Sequence, residues 1–95
     1  FEYDGEMGVD VALDMSLRKN YPFCRLSGPA NILIMPGLHA ANISYKLLQA
    51  VGGGTIIGPM LLGLEKPVQI VQMSATVNDL VQAAAIAAHD TILND

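Results

Sequence analysis

The chain has 95 residues, 52% hydrophobic and only 15% charged, with nine acidic and five basic residues for a net charge of −4. Neither sign is blocked and no basic stripe with interleaved aromatics occurs, which argues against nucleic acid as a partner. Globular domains typically carry ~25% charged residues, and small ones need more polar surface rather than less. The apolar excess, with a start at Phe1 rather than Met, therefore implies a fragment of a larger domain or part of an intimate oligomer.

In chain order, residues 1–6 read as the end of a strand running into the acidic turn Asp4-Gly5-Glu6. Val9, Ala12, Leu13 and Leu17 recur at helical spacing, predicting a helix over 9–19, and Arg18 and Lys19 near its end suit the negative end of the helix dipole. Tyr21-Pro22 stops that helix, because proline disfavours helical geometry in the residue before it. Residues 23–29 are loop, with Ser27-Gly28-Pro29 as turn chemistry.

The run Asn31-Ile32-Leu33-Ile34-Met35 is the clearest strand, and it hands over at Pro36-Gly37 to a helix over 38–51. Leu38, Ala41, Tyr45, Leu48 and Ala40, Ile43, Leu47, Val51 give this helix a wide apolar face, so it is expected to be substantially buried. Gly52-Gly53-Gly54 reads as its end, glycine taking the left-handed conformation that helix ends favour, or as a backbone that a ligand can approach. Residues 55–57 and 68–71 are two further short strands, Pro67 being tolerated at a strand's start. A final helix is predicted over 77–93, with Leu80, Val81, Ala84, Ala88 and Ile92 on one face. The alternation of apolar strands and helices defines an α/β class, whose ligands bind at the carboxyl ends of strands.

A single cysteine, Cys24, allows no internal disulfide and fits a reducing compartment. The acidic first residues lack the pattern of a secretory signal, so a cytoplasmic location is expected. The stretch between Lys46 and Glu65 is uncharged, but its glycines and Pro59 break it into pieces too short to cross a membrane.

No phosphate-binding loop, dinucleotide fingerprint or metal-ligand cluster is present. A pairing of Cys24 with His39 or His89 has no local support. Two constellations carry more weight. His39, Asn42 and Lys46 form a polar stripe at helical spacing, either a solvated face or a ligand-facing one whose cation meets a phosphate. Thr76-Val77-Asn78-Asp79 resembles a capping box, which alone accounts for Thr76 and Asp79; the alternative is a carboxylate at a helix start beside a cleft, available as a general base.

Taken together, Asp4-Gly5-Glu6, Ser27-Gly28-Pro29-Ala30-Asn31, Met35-Pro36-Gly37-Leu38-His39-Ala40-Ala41-Asn42-Ile43-Ser44-Tyr45-Lys46, Gly58-Pro59, Gly63-Leu64 and Lys66-Pro67-Val68 resemble the carboxyl-terminal part of the phosphate acetyltransferase/butyryltransferase family. Tyr21-Pro22-Phe23-Cys24-Arg25-Leu26-Ser27-Gly28 and Pro67-Val68-Gln69-Ile70-Val71 look like the transacetylase-like module at the C-terminus of large bacterial NADP-dependent malic enzymes.

That resemblance implies a partial isocitrate/isopropylmalate dehydrogenase-like fold, three-layered, with helices on a mainly parallel sheet. It implies that 1–95 is the C-terminal part of a phosphotransacetylase-like domain, with a crossover between lobes near 64–76 and an N-terminal half elsewhere. The ligand-binding positions it points to are His39, Asn42, Lys46, Gln72, Met73 and Asp79, with no metal in this stretch. Active members carry a Ser-Arg pair where this chain has Gln72-Met73, an Asp matching Asp79, and typically Asp, Asn and Gly in place of Gly37, His39 and Ala41. Replacing Arg by Met removes a fixed cation and a bidentate donor that Gln cannot supply.

The resemblance therefore implies a regulatory acyl-CoA-sensing and oligomerising module with acetyl-CoA as effector, itself without transacetylase activity. Malate would be decarboxylated oxidatively by a separate malic enzyme core using NADP and a divalent metal. The runner-up is an active phosphate acetyltransferase with a divergent site, using Asp79 as its base. A third reading is a purely architectural module in a homo-oligomer.

Overall fold

The computed structural model describes residues 1–94. The elements are α1 (Val9–Leu13), a short 3-10 turn (Leu17–Asn20), α2 (Leu38–Val51) and α3 (Val77–Asn94). The chain divides into two compact units, Phe1–Ser44 and a second from Tyr45 onward, with α2 running through the division.

In the first unit the helix expected over 9–19 is broken in the middle. Asp14 leaves the helical region at φ −111 and ψ 110, and its side-chain Oδ1 accepts the Ser16 N–H at 2.8 Å. An aspartate that bonds the backbone two residues on offers the chain a local turn in place of the next helical turn. The chain re-enters the helical region at Ser16 (φ −67, ψ −36), and the Leu17 N–H donates to the Asp14 carbonyl at 3.2 Å.

That interruption carries Arg18 back across the unit. Arg18 is 7% exposed, and its guanidinium donates to four backbone carbonyls. One terminal nitrogen meets Gly28 at 2.7 Å and Leu26 at 3.3 Å; the other meets Ala12 at 2.8 Å and Val11 at 3.3 Å. Arg18 is thus a buried clamp rather than an exposed charge tuned to a helix dipole. The apolar residues beside it, Val11 and Ala12, are the buried core of the described chain. Ala12 also takes the Ala30 N–H at 2.8 Å, so α1 and the loop after Pro29 are joined by backbone as well as by side chain.

The first residues run along the same loop. Glu2 Oε2 accepts both the N–H (2.9 Å) and the hydroxyl (2.8 Å) of Ser27, Asp4 Oδ2 accepts the Arg25 N–H at 2.7 Å, and the Arg25 guanidinium lies 5.2 Å from the centre of the Tyr3 ring. The Ser27 backbone and hydroxyl donors hold the Glu2 carboxyl below its ordinary value, and the Arg25 and Gly5 backbone donors do the same for Asp4.

α2 has the bounds its periodicity predicts, beginning at Gly37, whose carbonyl takes the Ala41 N–H at 3.1 Å. It ends at the triple glycine: Gly52 donates to Leu48 at 2.7 Å and Gly53 turns to φ 64, the left-handed conformation expected there. Its expected burial is corrected, since no residue of α2 is buried and Leu38 is 81% exposed.

Residues 1–6, 31–35, 55–57 and 68–71 form no strand among the described residues. Ile34 is 90% exposed. A strand exists only through a ladder with a neighbour, and these apolar runs find none among the residues described.

Replacing Arg18 should loosen the first unit. Arg18→Met, which leaves four carbonyls without their charged donor, is expected to cost about 2–4 kcal/mol. Arg18→Lys should recover only part, because an ammonium cannot fork across two carbonyl pairs. Amide exchange at Ala30 in the full-length protein reads the change, and unaltered protection would contradict the clamp. Acidification has a defined sign as well. The Glu2 and Asp4 contacts contribute fully above the ordinary carboxylate range and are lost as pH falls through their lowered pKa values, so Ser27 and Arg25 amide protection should fall below about pH 4.

Candidate functional site

The second unit presents its chemistry at the start of α3. A turn closed by the Ala75 N–H on the Gln72 carbonyl at 3.0 Å leads into the helix, whose first intrahelical bond runs from Leu80 to the Thr76 carbonyl at 3.1 Å. The capping box is formed in both directions. Asp79 N–H donates to Thr76 Oγ1 at 3.2 Å, while Asp79 Oδ2 accepts the Thr76 N–H and hydroxyl, each at 2.8 Å.

Asp is shorter than the Glu or Gln usual at this place, yet it reaches. The Thr76 backbone N–H, and then its hydroxyl, hold the Asp79 carboxyl below its ordinary value of 3.8. A carboxylate so occupied is a weaker proton acceptor than a free one, which is the reverse of how a catalytic base is usually tuned.

Around this helix start lies a pocket of about 280 Å³, walled by apolar residues such as Ile57, Ile70 and Ile86, by the amides Gln49, Gln69, Gln72 and Gln82, and by Ser74, Thr76 and Asp79. Gln72, on an exposed turn, donates from Nε2 to the Tyr45 hydroxyl at 3.3 Å. Gln69 accepts the Leu61 N–H on Oε1 at 3.3 Å, and among the described residues its enclosed Nε2 has no hydrogen-bond partner.

Of the residues singled out in the sequence, Gln72 and Asp79 line this pocket. Met73, the neighbour of Gln72, is fully exposed and is not part of its wall. Lys46 lies on α2, with its ammonium 5.3 Å from the centre of the Tyr45 ring. His39 and Asn42 are exposed on the part of α2 that belongs to the first unit.

Gln49, Gln69 and Gln82 were not singled out. Their signal was available for two of them, since Gln82 stands three residues after Asp79 and Gln49 three after Lys46, the spacing that puts helical side chains side by side. Gln69, in an irregular segment, had no such signal. Among the described residues no group of three or more His, Cys, Asp or Glu could hold a metal ion, and no helix is long and apolar enough to cross a membrane.

The chain belongs to the phosphate acetyl/butaryl transferase family, which it matches over residues 1–88. It is 61% identical over 90 residues to the NADP-dependent malic enzyme of Rhizobium meliloti (strain 1021), covering 95% of this chain and 12% of that protein. It is 55% identical over 92 residues to a probable NADP-dependent malic enzyme of Rickettsia prowazekii (strain Madrid E), 97% of this chain and 12% of that one. The phosphate acetyltransferase of Paracoccus denitrificans is 42% identical over 91 residues, 95% of this chain and 29% of the enzyme. The chain thus spans about an eighth of the length of these malic enzymes and under a third of the transferase. No solved structure gives a significant match.

The cap is open to direct test. The Asp79 carboxyl should titrate below 3.8 by NMR, and in Thr76→Val, which removes one of its donors, the titration should move up toward that value. Because the carboxylate form is the one bonded, the cap contributes above the ordinary range and the first turn of α3 should fray as pH falls through the lowered pKa. An Asp79 titration unmoved by the substitution would contradict the box.

Proposed function

We propose that this chain is part of a regulatory acyl-CoA-sensing and oligomerising module of a large NADP-dependent malic enzyme, with acetyl-CoA as effector and without transacetylase activity of its own. Family membership over nearly the whole chain and the similarity to stretches of malic enzymes support the first part. The pair Gln72-Met73 carries the second. Where active transacetylases resembling this chain have Ser-Arg, the chain offers an amide and a thioether, neither of which neutralises a phosphate or developing negative charge. Loss of such a contact costs on the order of a hundredfold or more in rate. Asp79, engaged by Thr76, serves here as a cap.

In this reading the malate oxidation belongs to a separate core of the longer protein, which carries NADP and a divalent metal. The apolar runs at 31–35, 55–57 and 68–71 are strands of a mainly parallel sheet in an isocitrate/isopropylmalate dehydrogenase-like domain, completed by residues of the longer protein. The exposure of Ile34 and of the apolar face of α2 supports this, as surfaces of that kind call for a cover. The candidate ligand-binding positions of this reading are His39, Asn42, Lys46, Gln72, Met73 and Asp79.

Titration of the full-length protein with acetyl-CoA should give saturable binding and a change in malate oxidation rate, and no acetyl phosphate-dependent acylation of CoA. Absence of binding at millimolar acetyl-CoA would sink the sensing role; transacetylase turnover abolished by Asp79→Ala would establish the divergent enzyme instead. Residues 1–95 expressed alone should self-associate in light scattering, and a monodisperse monomer would contradict the apolar cover.

A further inference from the structure

We draw no further inference here: the strongest candidate, the exposed apolar face of α3 at Val77, Val81 and Ile92, carries none, because nothing in the structure shows what covers it.

Discussion

Four carbonyls converging on one buried guanidinium decide the architecture of the first unit. Arg18 joins α1, through Val11 and Ala12, to the loop at Leu26 and Gly28, and the apolar residues that share its surroundings are few and small. A core of that size has little hydrophobic cohesion, so the polar clamp carries a disproportionate part of the order. It also ties in the first residues at one remove, since the loop that receives Arg18 is the loop whose Arg25 and Ser27 donors hold Asp4 and Glu2. The geometry depends on the break at Asp14, because in a continuous helix the Val11 and Ala12 carbonyls would be taken by the amides four residues on and not left for Arg18.

The second unit is organised by a helix start. Thr76 and Asp79 satisfy each other's backbone groups, and the turn from Gln72 to Ala75 delivers the chain to that cap. The same residues form part of the pocket wall, so helix stability and pocket chemistry are coupled there: the donors that steady α3 also keep Asp79 ionised and less basic.

The apolar faces left open agree with a chain that spans about an eighth of its malic enzyme relatives. A helix can satisfy its own backbone in isolation, and both long helices, α2 and α3, form among the described residues. A strand cannot, and apolar runs such as Ile32 to Met35 form no ladder among the described residues. Helices therefore form here on local bonds alone, whereas a strand would need a neighbouring one.

Much of this was legible in the residues. The bounds of α2 follow from Gly37, the apolar period and the triple glycine; the start of α3 follows from Thr76 and Asp79; the family follows from motifs spread along the chain. These are determined by sequence because helix spacing, capping and glycine conformation are local, set within a few residues. Tertiary structure alone decided the rest. Arg18 as a clamp depends on carbonyls 6 to 10 residues away, and Gln69 as a pocket residue depends on how an irregular loop is laid down. The runs expected as strands, which form none among the described residues, make the same point, since ladder pairing needs a partner at a distance and no local pattern can supply one.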